Sequence, residues 1–174
     1  MSINTAQILT AMKIVFWIIF IGLLIQSGAL LVTYIISLNT PDAAQNLYLG
    51  LDLSELYAAN RWHYTSFLSF LIIIGAMKAY LAFLVVQTLT KIDLEKPFSV
   101  YVSDRISKIS HNALSIGFVS LIAQAHTKYL AKSVIALDYN WQAAQFLFLA
   151  AIIYIISKIF KKGIELQAEN ELTI

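Results

Sequence analysis

The chain has 174 residues, of which 59% are hydrophobic and 13% charged, against roughly 45–50% and about 25% in soluble domains. With a mean hydropathy of +0.74, that balance excludes an ordinary soluble fold, and 6 Gly and 2 Pro exclude a collagenous or linker-dominated chain. The absence of cysteine removes disulfides, thiol catalysis and thiolate metal sites, and a net charge of +2 in short clusters offers no basic face for direct nucleic-acid binding.

A bilayer core of about 30 Å needs about 20 helical residues. Ile14 to Leu38 supplies 25 without a formal charge. It outlasts a secretory apolar region of about 7–15 residues and therefore reads as a span. The connection from Asn39 to His63 carries Asp42, Asp52 and Glu55 among Leu47, Tyr48, Leu49, Leu51 and Leu53. Two readings stay open for it: a lid packed on the helices, with Pro41 and Asp42 starting a turn, or an extracellular ligand site. Ser66 to Thr90 is a second run of 25, interrupted only by Lys78.

The next turn reads Leu94-Glu95-Lys96-Pro97-Phe98-Ser99. Pro97 blocks helix continuation and Ser99 is placed to cap a new helix. Val102, Ile106, Ile109, Ala113 and Ile116 then recur at helical intervals, so an amphipathic turn is expected to run into the third span, with Asp104 and Lys108 paired on its wet side. The third and fourth runs, Ile109 to Thr127 and Tyr139 to Ser157, are 19 residues each. The fourth is expected to continue as helix through Lys161 and Lys162 into an acidic tail with Glu165, Glu169 and Glu171. The predicted fold class is all-α: a single polytopic membrane domain over 1–174, a four-transmembrane-helix bundle with spans at about 14–38, 66–90, 109–130 and 139–160 and a cytoplasmic amphipathic helical extension.

Basic residues set the expected direction. Lys13, Lys91, Lys96, Arg105, Lys108, Lys158, Lys161 and Lys162 fall on one side, against Arg61, Lys128 and Lys132 on the other. Both termini are therefore expected in the cytoplasm of a bacterial inner membrane, with Trp17 at the inner surface and Trp62, Tyr64, Tyr139 and Trp141 in an outer aromatic belt.

Lys78 stands about 18 Å from either end of its run, where a lone lysine costs roughly 2.5 to 3.5 kcal/mol on insertion scales. No Asp or Glu occurs in any span to pair with it. Counting along the helices places Gln26 and Gln124 near the same depth, which predicts an intramembrane polar cluster of Lys78, Gln26 and Gln124. Three roles remain open for it: helix-to-helix hydrogen bonding, a conduction or substrate site, or a partner contact. Ala113 and Gly117 form a small-xxx-small contact, while Gln142 and Gln145 are expected near the outer interface. The three histidines lack metal-ligand spacing, and no catalytic motif is present, so neither an enzyme nor a cofactor is expected.

Lys96-Pro97-Phe98-Ser99 after the second span, with Gly163 and the ending Leu166-Gln167-Ala168-Glu169-Asn170-Glu171-Leu172-Thr173-Ile174, resembles a family of bacterial four-span membrane proteins designated domain of unknown function twenty-nine seventy-five. The likeness covers nearly the whole chain. It implies no catalytic residue, and it implies by gene neighbourhood a small helix-turn-helix regulator as a partner. The expected function is a non-enzymatic regulatory or accessory membrane protein, acting through a cytoplasmic surface of Pro97, Phe98, Ser99, Arg105, Glu165, Glu169 and Glu171. The alternative is a small transporter or channel component with a polar core around Lys78. Homo-oligomerisation is open.

Overall fold

A computed structural model describes residues 5–93, 97–135 and 137–171. Leu94, Glu95 and Lys96 of the turn, and Leu172, Thr173 and Ile174 of the ending, lie outside the described residues. Among the described residues five α-helices run in the order α1 (Thr5–Asn39), α2 (Ser54–Ala59), α3 (Arg61–Lys91), α4 (Val100–Ser133) and α5 (Ala143–Glu171). Four of them, α1, α3, α4 and α5, are long and apolar enough to cross a membrane.

The helix ends follow local chemistry. Thr40 N–H donates to the Ile36 carbonyl and Pro41 closes α1. The Asn60 side chain caps α3 by accepting from Trp62 N at 2.8 Å, and Ser99 Oγ caps α4 by accepting from Val102 N at 3.3 Å. Beyond its cap α4 runs unbroken into the third span, burying Val102, Ile109, Ala113 and Ile116, as the periodicity requires. Each helix also exceeds its charge-free run. α1 begins nine residues before Ile14, and α5 continues past Lys161 and Lys162, because Ala, Gln, Leu, Lys and Glu are good helix formers whether or not lipid surrounds them.

The connection between α1 and α3 is a lid. Two short 3-10 turns, Pro41–Gln45 and Tyr48–Gly50, lead into α2. The chain reverses at Leu49 and Gly50, with φ of 59° and 74°. Leu47, Leu53 and Leu56 are buried with Tyr64, Phe67, Leu68 and Leu130 in one cluster. At this end of the molecule such burial removes side chains from water, about 1.5 to 3 kcal/mol each. Within the spans apolar burial drives little, since lipid is equally apolar, and close packing and polar contacts decide.

α1 packs on α3, α3 on α4 and α4 on α5. Among the described residues α1 and α5 share no comparable contact, so the bundle is an open row. The contacts use small residues and hydroxyls. A Cβ at Gly117 would stand 2.6 Å from Leu147 Cδ2 of α5, and Ser110 Oγ donates to the Ala150 carbonyl at 3.1 Å. Tyr64 OH donates to Ser37 Oγ at 2.7 Å, joining α3 to α1. Tyr64 is thus fully buried and not part of an interfacial belt, whereas Trp62 is 78% exposed.

Candidate functional site

Lys78 lies 17 residues into α3, about 26 Å from the lid end at 1.5 Å per residue. Its Nζ donates to Gln142 Oε1 at 3.0 Å and sits 5.0 Å from the centre of the Phe146 ring. The fourth run is expected to be helical from Tyr139, with Gln142 near the outer interface. In the structure Tyr139, Asn140, Trp141 and Gln142 are not helical. Trp141 turns into the bundle, while Tyr139, Asn140 and Gln142 stay exposed. Trp141 anchors the turn. It is 2% exposed, donates Nε1–H to Thr127 Oγ1 at 2.8 Å, and packs edge-on against Phe67 at 5.3 Å. Asn140 Oδ1 accepts from Gln142 N at 2.9 Å, and Gln142 takes φ 58°, a left-handed conformation disfavoured without glycine. That strain aims the Gln142 carboxamide at Lys78.

A partly open cavity of about 70 Å³ is lined by Leu23, Gln26, Ser27 and Leu30 of α1, Leu71, Ile74, Gly75 and Lys78 of α3, and the turn Tyr139–Asn140–Trp141. Of the expected cluster, Gln26 and Lys78 line this one cavity and Gln124 does not. Gln124 is exposed on α4. It has the right depth, but the buried stripe of α4 is Ile116, Ser120, Ala123, Thr127 and Leu130, and one residue past Ala123 turns the side chain about 100° away. Sequence counting missed Ser27 and Gln142. Gly75 facing Ser27 is the signal that could have found the first, for a Cβ at Gly75 would collide with Ser27 Oγ.

A second polar feature lies near the lid end. The His63 and His126 rings are 5.6 Å apart, beside Tyr129 and Phe70. No group of three or more metal-ligating side chains occurs among the described residues.

At the opposite end, where the described chain begins and ends, α4 and α5 extend together. Phe98 packs edge-on against Phe160 at 5.4 Å and over Gly163, where a Cβ would stand 2.5 Å from Phe98 Cδ1. A groove of about 410 Å³ runs beside it, lined by Val100, Ser103, Asp104, Ser107, Lys161, Ile164 and Glu165. Two ion pairs among the described residues, Asp104 with Lys108 and Lys162 with Glu165, lie within one helix, each at 2.9 Å and more than half exposed. Such pairs contribute about 0 to 1 kcal/mol, less than burial of the Phe98 ring between the turn and α5 can supply. The Arg105 guanidinium lies 5.1 Å from the Tyr101 ring centre. Pro97 and Ser99 flank Phe98, Glu169 stands one turn beyond Glu165, and Glu171 ends α5.

The spans, the turn and the tail fall inside one family pattern, a model described as Protein of unknown function (DUF2975), which matches residues 9–174. The chain belongs to that family. The match runs from within α1 to the last residue, so this DUF2975 protein carries the Lys78 cavity and the Phe98 contact inside the family region. No curated protein matches the chain, and no solved structure matches it.

Proposed function

We propose that this protein is a non-enzymatic regulatory or accessory component of the bacterial cytoplasmic membrane, with both termini in the cytoplasm and a soluble partner docking on the end built by Pro97, Phe98, Ser99, Arg105, Glu165, Glu169 and Glu171. The Phe98 contact with Phe160 and Gly163 carries this reading. It makes the turn and the α5 extension one body with a groove of mixed charge and apolar side chains, instead of a turn and a tail that are separately solvated. The eight-to-three division of basic residues supports the direction. The partner suggested by gene neighbourhood is a small helix-turn-helix regulator.

The direction is tested with single cysteines, since the chain has none. A cysteine at Asn46 should react with a membrane-impermeant reagent in intact cells, and one at Ala168 only after permeabilisation. The reverse pattern refutes the orientation. Docking is tested by truncation after Lys162, which should leave insertion intact and abolish co-purification of the regulator. Equal recovery with the full and truncated chains removes the tail from the surface.

A small transporter or channel component is the second reading, favoured by the polar cavity of about 70 Å³ at Lys78. Solute flux in proteoliposomes that disappears in Lys78→Met would establish it.

A further inference from the structure

The Lys78 cavity has a polarity that its composition hides. Four of its polar groups, on Gln26, Ser27, Tyr139 and Asn140, come as carboxamides or hydroxyls able to donate or accept, and two acceptors beside Lys78 are already used. Asn140 Oδ1 accepts from the Gln142 N–H, which leaves its NH₂ as the free end of the amide, and Gln142 Oε1 accepts from Lys78, which can only donate. Unpartnered among the described residues are the other Lys78 N–H bonds and the Asn140 NH₂, which can only donate, with the Gln26 carboxamide and the Ser27 hydroxyl, which can turn a donor to the same space. Ser27 is more than nine-tenths buried, and its Oγ has no hydrogen-bond partner. It reaches the cavity through the space that Gly75 leaves. No Asp or Glu lies in α1 or between Arg61 and Lys91, and Asp138 of the α4–α5 connection does not line the cavity. A cation at membrane depth, ringed by donors and lacking a carboxylate, wants a mobile counter-charge.

We propose that this cavity binds one small monoanion, a halide or a short carboxylate, held by Lys78 with Ser27, Gln26 and Asn140. A water needs about 10 to 15 Å³ of such space, so about 70 Å³ admits a halide or an acetate-sized group and excludes a lipid headgroup. The inference stands apart from the docking reading and does not require that the anion be transported.

Trp141 lines the same cavity and reports on it. In the full-length protein with Trp17→Phe and Trp62→Phe, in detergent with gluconate as the background anion, iodide should quench Trp141 fluorescence along a saturable curve. Chloride should restore the emission. Restoration by acetate as well identifies a carboxylate-tolerant site, and restoration by chloride alone a halide site. Lys78→Met should weaken iodide binding by about tenfold to a hundredfold, as expected for loss of a charge-assisted hydrogen bond, and Ser27→Ala by less. Linear quenching that chloride does not relieve overturns the proposal in the parent protein alone, whether or not either variant folds. Saturable quenching that is unchanged in folded Lys78→Met overturns the assignment to this cavity.

Discussion

Replacing Phe98 by alanine separates the contact that joins the turn to α5 from everything that holds the spans. A phenylalanine offers about 200 Å². With 38% of Phe98 exposed, roughly 120 Å² is covered, or about 3 kcal/mol at 25 cal/mol per Å². This is an upper bound, since the free turn already hides part of that surface. The Lys162–Glu165 pair runs along α5 and is exposed, so it adds little to this contact. Without Phe98 the last turns of α5 should open more often than in the parent. At 1.4 kcal/mol per tenfold, amide hydrogen exchange between residues 161 and 168 should accelerate by about one to two decades. Mass-spectrometric exchange in detergent measures this, with peptides from the lid as an internal reference that should not change. Unaltered exchange in 161–168 would show that α5 is held there by something other than Phe98, and the argument for a single preformed surface would fail with it.

Further predictions follow from contacts elsewhere. Gly117→Leu should force α4 and α5 apart, because even a Cβ stands 2.6 Å from Leu147 Cδ2 and 3.2 Å from Leu147 N. A loss of about 1 to 3 kcal/mol should appear as a lower Tm in detergent, and an unchanged Tm would contradict the close approach. Tyr64→Phe removes the buried bond to Ser37 Oγ and should cost about 0.5 to 1.5 kcal/mol by the same assay. Ser54 donates both its N–H and its hydroxyl to Asp52 Oδ1, holding the carboxyl below the usual carboxylate range. A depressed folded value means that the stabilisation is present above an unfolded pKa of about 3.9 and is lost as pH falls through the folded one. Ser54→Ala should raise the Asp52 titration midpoint in a carboxyl NMR experiment, and no upward movement would refute the turn geometry.

Which parts of this could be read from residues alone follows from what each inference needed. Long charge-free runs, Pro97 and the Ser99 cap depend only on local chemistry, and α1, α3 and α4 cover the runs they mark, while α5 starts at Ala143, four residues after the start of its run. The Ala113 and Gly117 contact was equally legible, since only small residues let helices approach so closely. Depth was legible for Gln124 but direction was not. Lys128 follows Ser120 and Gln124 at intervals of four, a row that drifts about 40° per step around the helix, and only Ser120 stays buried. The pairing of Lys78 with Gln142 could not be read, because a rise of 1.5 Å per residue locates a side chain only while the backbone is helical. Trp141 pulls its turn into the bundle through Thr127 and Phe67, partners distant in sequence. A hydropathy window sees the same apolar run in either case.

The open row has a consequence for how the chain is made. Among the described residues each extensively packed pair of spans consists of a helix and the span before it, α1 with α3, α3 with α4 and α4 with α5. Each span released into the bilayer during synthesis therefore finds its one partner already inserted, and no helix has to wait for a later one to close a ring. Docking can proceed in the order of translation, as local connectivity favours. Only the turn at Trp141 departs from this sequence. It settles between α3 and α4, joining the N-terminal end of α5 to Lys78, so the polar cavity is the last part of the molecule to be completed.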